Sequence, residues 1–170
     1  MAISNITRSV SALFFVIANS FAVTTGSLVS NAIGAGVGNE LFAICSKVLK
    51  LGYAIGVPLV GIAMCCNRCI VGFYPDSETL IQLAFVPFIV MLLNYTFALP
   101  GYVYLNAVGG TGKTKITFLF QVTTTFVYLT YLFLLSFYTQ VSLAVYLTAE
   151  YLFVILLAVQ SIIYLKYKHY

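Results

Sequence analysis

Charged residues are the scarcest class in this sequence. Only 7% of the 170 residues are Asp, Glu, Lys or Arg, whereas about 25% is usual in soluble globular domains. Hydrophobic residues make up 62% of the chain, against roughly 45–50% in soluble domains. So few charges cannot cover a soluble core with a polar shell, and the apolar, aromatic composition excludes intrinsic disorder. The composition therefore predicts an integral membrane protein surrounded by lipid.

Residues that carry metal, enzymatic or nucleic-acid chemistry are also rare. The single histidine, His169, is predicted on the opposite side of the membrane from Cys65, Cys66 and Cys69, so a zinc site lacks its fourth ligand. The eight basic residues are too scattered for a phosphate-binding surface. No nucleophile and base are paired in the sequence. We expect no enzymatic activity, no metal, no cofactor and no nucleic-acid partner.

Stretches without charge divide the chain into membrane crossings. Residues 9–39, 79–112 and 116–149 each lack charged side chains, and about 20 apolar residues cross a bilayer as a helix. Strict apolar–polar alternation is absent, which argues against a transmembrane β-barrel. We predict an all-α polytopic protein with residues 1–170 as one transmembrane domain. The five predicted helices cover residues 7–33, 43–66, 78–106, 115–138 and 141–165.

The basic residues indicate the orientation of these helices. With five crossings, six lysines share one side of the membrane and two arginines, Arg8 and Arg68, lie on the other. The positive-inside rule then places the C-terminus in the cytoplasm and the N-terminus outside. No segment within residues 1–8 would carry the N-terminus across. We therefore expect a further helix upstream, in a larger transporter. The six lysines are Lys47, Lys50, Lys113, Lys115, Lys166 and Lys168.

Three passages resemble the C-terminal half of the multidrug and toxin extrusion (MATE) family. They are TGSLVSNAIGAG at 25–36, FYPDSETL at 73–80 and NAVGGTGKT at 106–114. The resemblance implies helices eight to twelve of a twelve-helix, two-lobed antiporter in the plasma membrane, the inner membrane of a bacterium. It implies export of organic cations or drugs coupled to H⁺ or Na⁺ entry, with an N-terminal lobe as partner. A lipid-linked sugar flippase of the same fold and a truncated membrane protein without transport of its own are the alternatives.

Glu150 is the one carboxyl predicted near the middle of the membrane. It lies nine positions into the fifth predicted helix, on the order of 14 Å along its axis. A charge at this depth costs at least roughly 2.5 kcal/mol, so the group is neutral, paired or exposed to water. A low dielectric favours the protonated form, which suits proton exchange. We interpret Glu150 as the ion-coupling candidate, with a hydrogen-bonded structural carboxyl as the alternative.

Polar residues in the other crossings are candidates for the lining of a substrate cavity. Helix–helix packing is the competing explanation for them. Pro87 and Pro100 are expected to bend the third helix, because proline removes a backbone donor. The resembled family often has an acidic residue at about the position of Ala98, and this departure leaves Glu150 as the clear mid-membrane carboxylate. The predicted lining residues are Asn19, Asn31, Asn94, Tyr95 and Gln121.

Overall fold

The computed structural model describes residues 2–65, 78–137 and 143–167 of the chain. Within them the elements are helices joined by short turns, and no strand occurs there. The predicted all-α class is therefore confirmed. The helices are α1 (Ala2–Gly34), a 3₁₀ turn (Gly38–Glu40), α2 (Leu41–Cys65), α3 (Glu78–Gly110), α4 (Thr114–Ser136) and α5 (Leu143–Tyr167).

Four segments within the described residues are long and apolar enough to cross a membrane. They are Phe14–Gly34, Gly38–Cys65, Thr114–Ser136 and Val145–Tyr167. Large apolar side chains cover the outer surface: on α4 alone, Phe118, Phe126 and Phe133 are 68%, 74% and 63% exposed. A polypeptide with this surface needs hydrocarbon around it rather than water. The chain is a multi-pass membrane protein.

The ends of the helices differ from the predicted ends by a few residues. The third helix continues to Gly110, four residues beyond the predicted end. The loop predicted between the second and third helices, with Cys66 and Cys69, lies largely outside the described residues, as do residues 138–142 of the last predicted turn. Cys45 and Cys65, in α2, are free thiols.

Two glycines with positive φ allow the chain to turn sharply between helices. Gly36 has φ 77°, and the amide of the next residue, Val37, donates to the carbonyl of Ala32 at 2.9 Å. This bond belongs to a Schellman motif, in which glycine takes the left-handed conformation after a helix. Gly112, with φ 80°, turns the chain between α3 and α4. The glycine-rich motifs therefore end two helices.

Successive helices run in opposite directions. Phe120 on α4 contacts Tyr164 on α5, with ring centroids 5.9 Å apart, and Tyr131 contacts Thr148 at 3.5 Å. Residues later in α4 thus contact residues earlier in α5, so this pair of helices is antiparallel. Contacts of α3 show that α1 and α5 run parallel to it, whereas α2 runs antiparallel.

Helix α3 lies in the middle of the bundle and contacts the other four helices. Its buried side chains point in several directions and include Leu92, Leu99 and Val103. A helix that is apolar on all sides suits a position where other helices or lipid surround it. Glycines bring the backbones close: a Cβ on Gly101 would lie 2.6 Å from the carbonyl oxygen of Val154 on α5.

Candidate functional site

A cavity of about 410 Å³ lies among α1, α3, α4 and α5. Two of its lining residues, Asn94 and Glu150, carry amide or carboxyl groups. Four small or aliphatic residues line the remainder, and aromatic rings form most of the wall. The aromatic residues are Phe14, Phe15, Tyr95, Tyr102, Tyr128 and Phe153.

Asn94 and Glu150 meet inside this cavity. The amide Nδ2 of Asn94, on α3, donates to the Oε2 of Glu150, on α5, over 3.3 Å. Both side chains are half-buried. The other amide atom of Asn94, Oδ1, is buried and has no hydrogen-bond partner among the described residues. A buried acceptor without a donor costs about 1–3 kcal/mol, so the pair holds an acceptor that is ready for a proton donor or a cation.

Three edge-to-face ring pairs fix the aromatic wall. The rings of Phe14 and Tyr95 are 6.2 Å apart and cross at 70°, and those of Phe15 and Tyr102 are 5.4 Å apart and cross at 87°. Each of these two pairs joins α1 to α3. Aromatic faces attract cations, so a carboxyl among such rings is suited to an organic cation. The third pair, Tyr128 with Phe153, joins α4 to α5 at 5.8 Å.

Tyr151 fixes the contact of α5 with α3 next to Glu150. Its hydroxyl donates to the backbone carbonyl of Val90, and its ring lies 5.4 Å from that of Phe97. Both contacts are made on α3, on either side of Asn94 in the sequence. A side chain held at two points restricts the rotation of α5, and this sets the distance between Glu150 and Asn94.

Ala98 lines the same cavity as Glu150. It is buried and lies one turn after Asn94 on α3, with Tyr102 a further turn on; residues four apart share a helix face. The position at which the resemblance implies an acidic residue therefore lies in the wall of the cavity that holds Glu150. Ala98 contributes only a methyl group, so among the described lining residues the carboxyl comes from α5.

Two of the five predicted lining residues, Asn94 and Tyr95, line the cavity together with Glu150. The structure places Asn19, Asn31 and Gln121 elsewhere: all three are exposed on the described helices and absent from the cavity wall. Their lining role stays a prediction. Pro100 lies inside α3, half-buried; Pro87 lies in the same helix, but its side chain is outside the described set. The assigned helix continues through both prolines.

Sequence reasoning missed most of the aromatic wall. Tyr102 follows Ala98 by four residues, so helical spacing alone could have placed it beside the predicted residues. Phe14 and Phe15 gave no such signal, because phenylalanine is spread throughout the chain. Gln160 on α5 was also missed; its Oε1 lies 3.4 Å from the hydroxyl of Thr123 on α4. Among the described residues no group of three or more His, Cys, Asp or Glu side chains could hold a metal ion.

Comparison with known families decides the affiliation. The family model described as MatE matches residues 1–129, which is more than half of the chain. This chain belongs to the MATE transporter family. The MATE match covers α1 to α3 and most of α4, including Asn94, Tyr95 and Ala98, whereas Glu150 lies beyond it. Searches of curated proteins and of solved structures returned no significant match.

Proposed function

We propose that this MATE chain contributes one side of a substrate cavity in a cation-coupled antiporter that exports organic cations. Glu150 is the coupling residue, and Asn94 is its partner. The observation that carries the proposal is the contact of these two side chains across α3 and α5, inside a cavity walled by aromatic rings. A cationic substrate would compete with the coupling ion for the same carboxyl.

The proton is the coupling ion that the Asn94–Glu150 pair accommodates most simply. In the present geometry Nδ2 donates to a carboxylate oxygen, which suits the ionised form. A half-turn of the amide would present the partnerless Oδ1 to the hydroxyl of a protonated carboxyl. One amide can thus bond both forms of Glu150 in turn. Sodium is the competing ion, and it would use the same oxygens.

The proposed setting is the cytoplasmic, or bacterial inner, membrane, with the N-terminus outside and the C-terminus in the cytoplasm. Because the helices alternate in direction, Lys113 and Lys166 come to one end of the bundle, together with the start of α2. An excess of lysine at one end marks the cytoplasmic side. The opposing lobe of the transporter would close the cavity, which α1 and α3 to α5 surround in part.

The decisive experiment is Glu150→Gln in the transporter that contains this chain and its opposing lobe. The amide has nearly the same volume as the carboxyl but cannot take up or release a proton. We expect efflux of a fluorescent cation driven by a pH gradient to be abolished. A sodium gradient imposed separately shows which of the two ions is coupled.

Glu40→Gln is the matched control, because Glu40 is exposed in the 3₁₀ turn and lies outside the cavity. It makes the same chemical change and should leave efflux intact. Undiminished transport by Glu150→Gln would reduce Glu150 to a structural carboxyl. Export of a lipid-linked sugar but of no cationic dye would assign the cavity to a flippase.

A further inference from the structure

Pro100 leaves a carbonyl on α3 without its usual partner. In an α-helix the amide of residue i bonds the carbonyl of residue i−4, and proline has no amide hydrogen. The carbonyl of Thr96 therefore lacks the donor that residue 100 would supply. Thr96 is exposed at the surface of the described bundle, and a surface that faces the hydrocarbon of a membrane receives no hydrogen bonds from it. A backbone group in this position needs a partner from the protein.

Tyr53 supplies that partner from the neighbouring helix. Its hydroxyl, on α2, donates to the carbonyl oxygen of Thr96 over 2.7 Å. A second tyrosine joins the same two helices, with its donor on α3. The hydroxyl of Tyr95 donates a hydrogen bond to the carbonyl of Gly52, on α2, at 3.0 Å. The two bonds differ in one respect. The carbonyl of Gly52 still has the amide of Gly56 four residues on, whereas the carbonyl of Thr96 has a proline at that position.

This interruption divides the α3 wall of the cavity into two parts. Asn94 and Ala98 line the cavity before Pro100, and Tyr102 lines it after Pro100. A change of bend at Pro100 would move Tyr102 relative to Asn94, and so relative to Glu150. The hydroxyl of Tyr53 occupies the position from which such a bend is controlled.

We infer that Tyr53 is a positioning residue, which acts through the carbonyl of Thr96 to hold the proline interruption of α3 and thereby the shape of the Glu150 cavity. Its consequence for transport rests on the proposed function, whereas the hydrogen bond and its coupling to Pro100 do not. Release of this bond permits α3 to bend at the cavity, and its formation returns the wall to the geometry described above.

A double-mutant cycle measured by hydrogen exchange tests this inference in the full chain in detergent. Tyr53→Phe removes only the hydroxyl, and we expect the α3 amides around residues 96–104 to exchange roughly tenfold faster, because a carbonyl is left without a donor. Pro100→Ala restores the backbone donor. In that background Tyr53→Phe should change the exchange rate less than about twofold.

Tyr95→Phe is the control within the same interface. It also removes one tyrosine bond, but its acceptor keeps a helical donor, so its effect should be the same with or without the Pro100→Ala substitution in α3. Equal acceleration by Tyr53→Phe in both backgrounds would show ordinary packing and overturn the inference. If Tyr53→Phe left the exchange rate unchanged in the chain that keeps Pro100, the inference would be overturned as well.

Transport gives a second readout that separates the two proposals. Tyr53→Phe should lower pH-driven efflux in the chain that keeps Pro100. The same substitution should lower efflux little or not at all in a chain that carries Pro100→Ala. If Glu150→Gln keeps full efflux while the exchange cycle shows coupling, the proposed function fails and the role of Tyr53 at the proline stands. If the exchange cycle shows no coupling while Glu150→Gln is inactive, the proposed function stands and the role of Tyr53 at the proline fails.

Discussion

At the scale of single residues, Asn94 is as informative as Glu150. Asn94→Leu keeps the number and branching of the side-chain heavy atoms but removes both the donor to Glu150 and the partnerless Oδ1. We expect pH-driven efflux to fall on the order of tenfold, since hydrogen bonds to charged groups contribute about 1.5–3 kcal/mol. Folding stability should change little, because the loss of a buried orphan acceptor offsets the lost bond. Efflux assays and thermal unfolding in detergent measure the two effects.

Gln121→Leu provides the comparison for Asn94→Leu. The side chain of Gln121 is exposed on α4 and absent from the cavity wall, so the structure leads us to expect nearly unchanged efflux. A loss equal to that of Asn94→Leu would support the lining role that the sequence predicts for Gln121. It would also show that substrate contacts a second face of the chain.

The sequence singled out the two polar side chains that meet in the cavity more readily than it did the residues around them. Glu150 stands out because a carboxyl deep in a membrane helix is costly, and Asn94 because an amide there needs a partner. That these two meet depends on the rotation of α3 and α5 about their axes. No amphipathic pattern reveals this rotation when a helix is apolar all round, as α3 is. Asn19 illustrates the limit: its position on α1 followed from the sequence, but its exposure on the described bundle did not.

At the scale of helices, the glycines of α2 accommodate side chains of α3. A Cβ on Gly56 would lie 2.2 Å from ring atoms of Tyr95, and a Cβ on Gly52 would lie 2.7 Å from a methyl group of Leu99. Small residues at four-residue spacing bring membrane helices together. The fit positions Tyr95, which both lines the cavity and bonds to the carbonyl of Gly52.

Gly56→Ala should therefore destabilise the chain by about 1–3 kcal/mol, the usual cost of overpacking a well-packed contact. Because the clash is with a ring, Tyr95 must move, and the cavity should change with it. Gly61→Ala is the matched control on the same helix, since a Cβ there meets nothing within 4 Å. It should be neutral or stabilising by up to about 1 kcal/mol. Thermal unfolding in detergent compares them, and equal stability would contradict the role of Gly56.

Helix existence followed from the sequence, whereas the role of α3 did not. The long charge-free stretches mark the first, third and fourth crossings because the bilayer sets a minimum apolar length. That α3 is central depends on contacts between distant residues, such as Gly101 against Val154 and Gly110 against Gly26. Tyr53 had no sequence signal: its partner, the carbonyl of Thr96, is recognised only when α2 and α3 are in register.

At the scale of the whole molecule, the alternating helix directions bring lysines to one end of the bundle, so the orientation in the membrane can be tested. Lys113 begins the turn into α4, and Lys166 lies in the last turn of α5, at the same end of this antiparallel pair. Cys65 ends α2, at the opposite end of the bundle from the start of that helix. The proposed orientation places these lysines in the cytoplasm and Cys65 outside.

A membrane-impermeant thiol reagent applied to intact cells and to inverted vesicles distinguishes the two sides. A variant that retains Cys65 as its single cysteine should react in intact cells, because this thiol is exposed. Lys113→Cys in a cysteine-free background should react only in inverted vesicles. Cys45, buried in α2, is the control that should react from neither side before unfolding. The opposite pattern would place the lysines outside, and protons entering the cell would then meet Glu150 from the other end of the cavity.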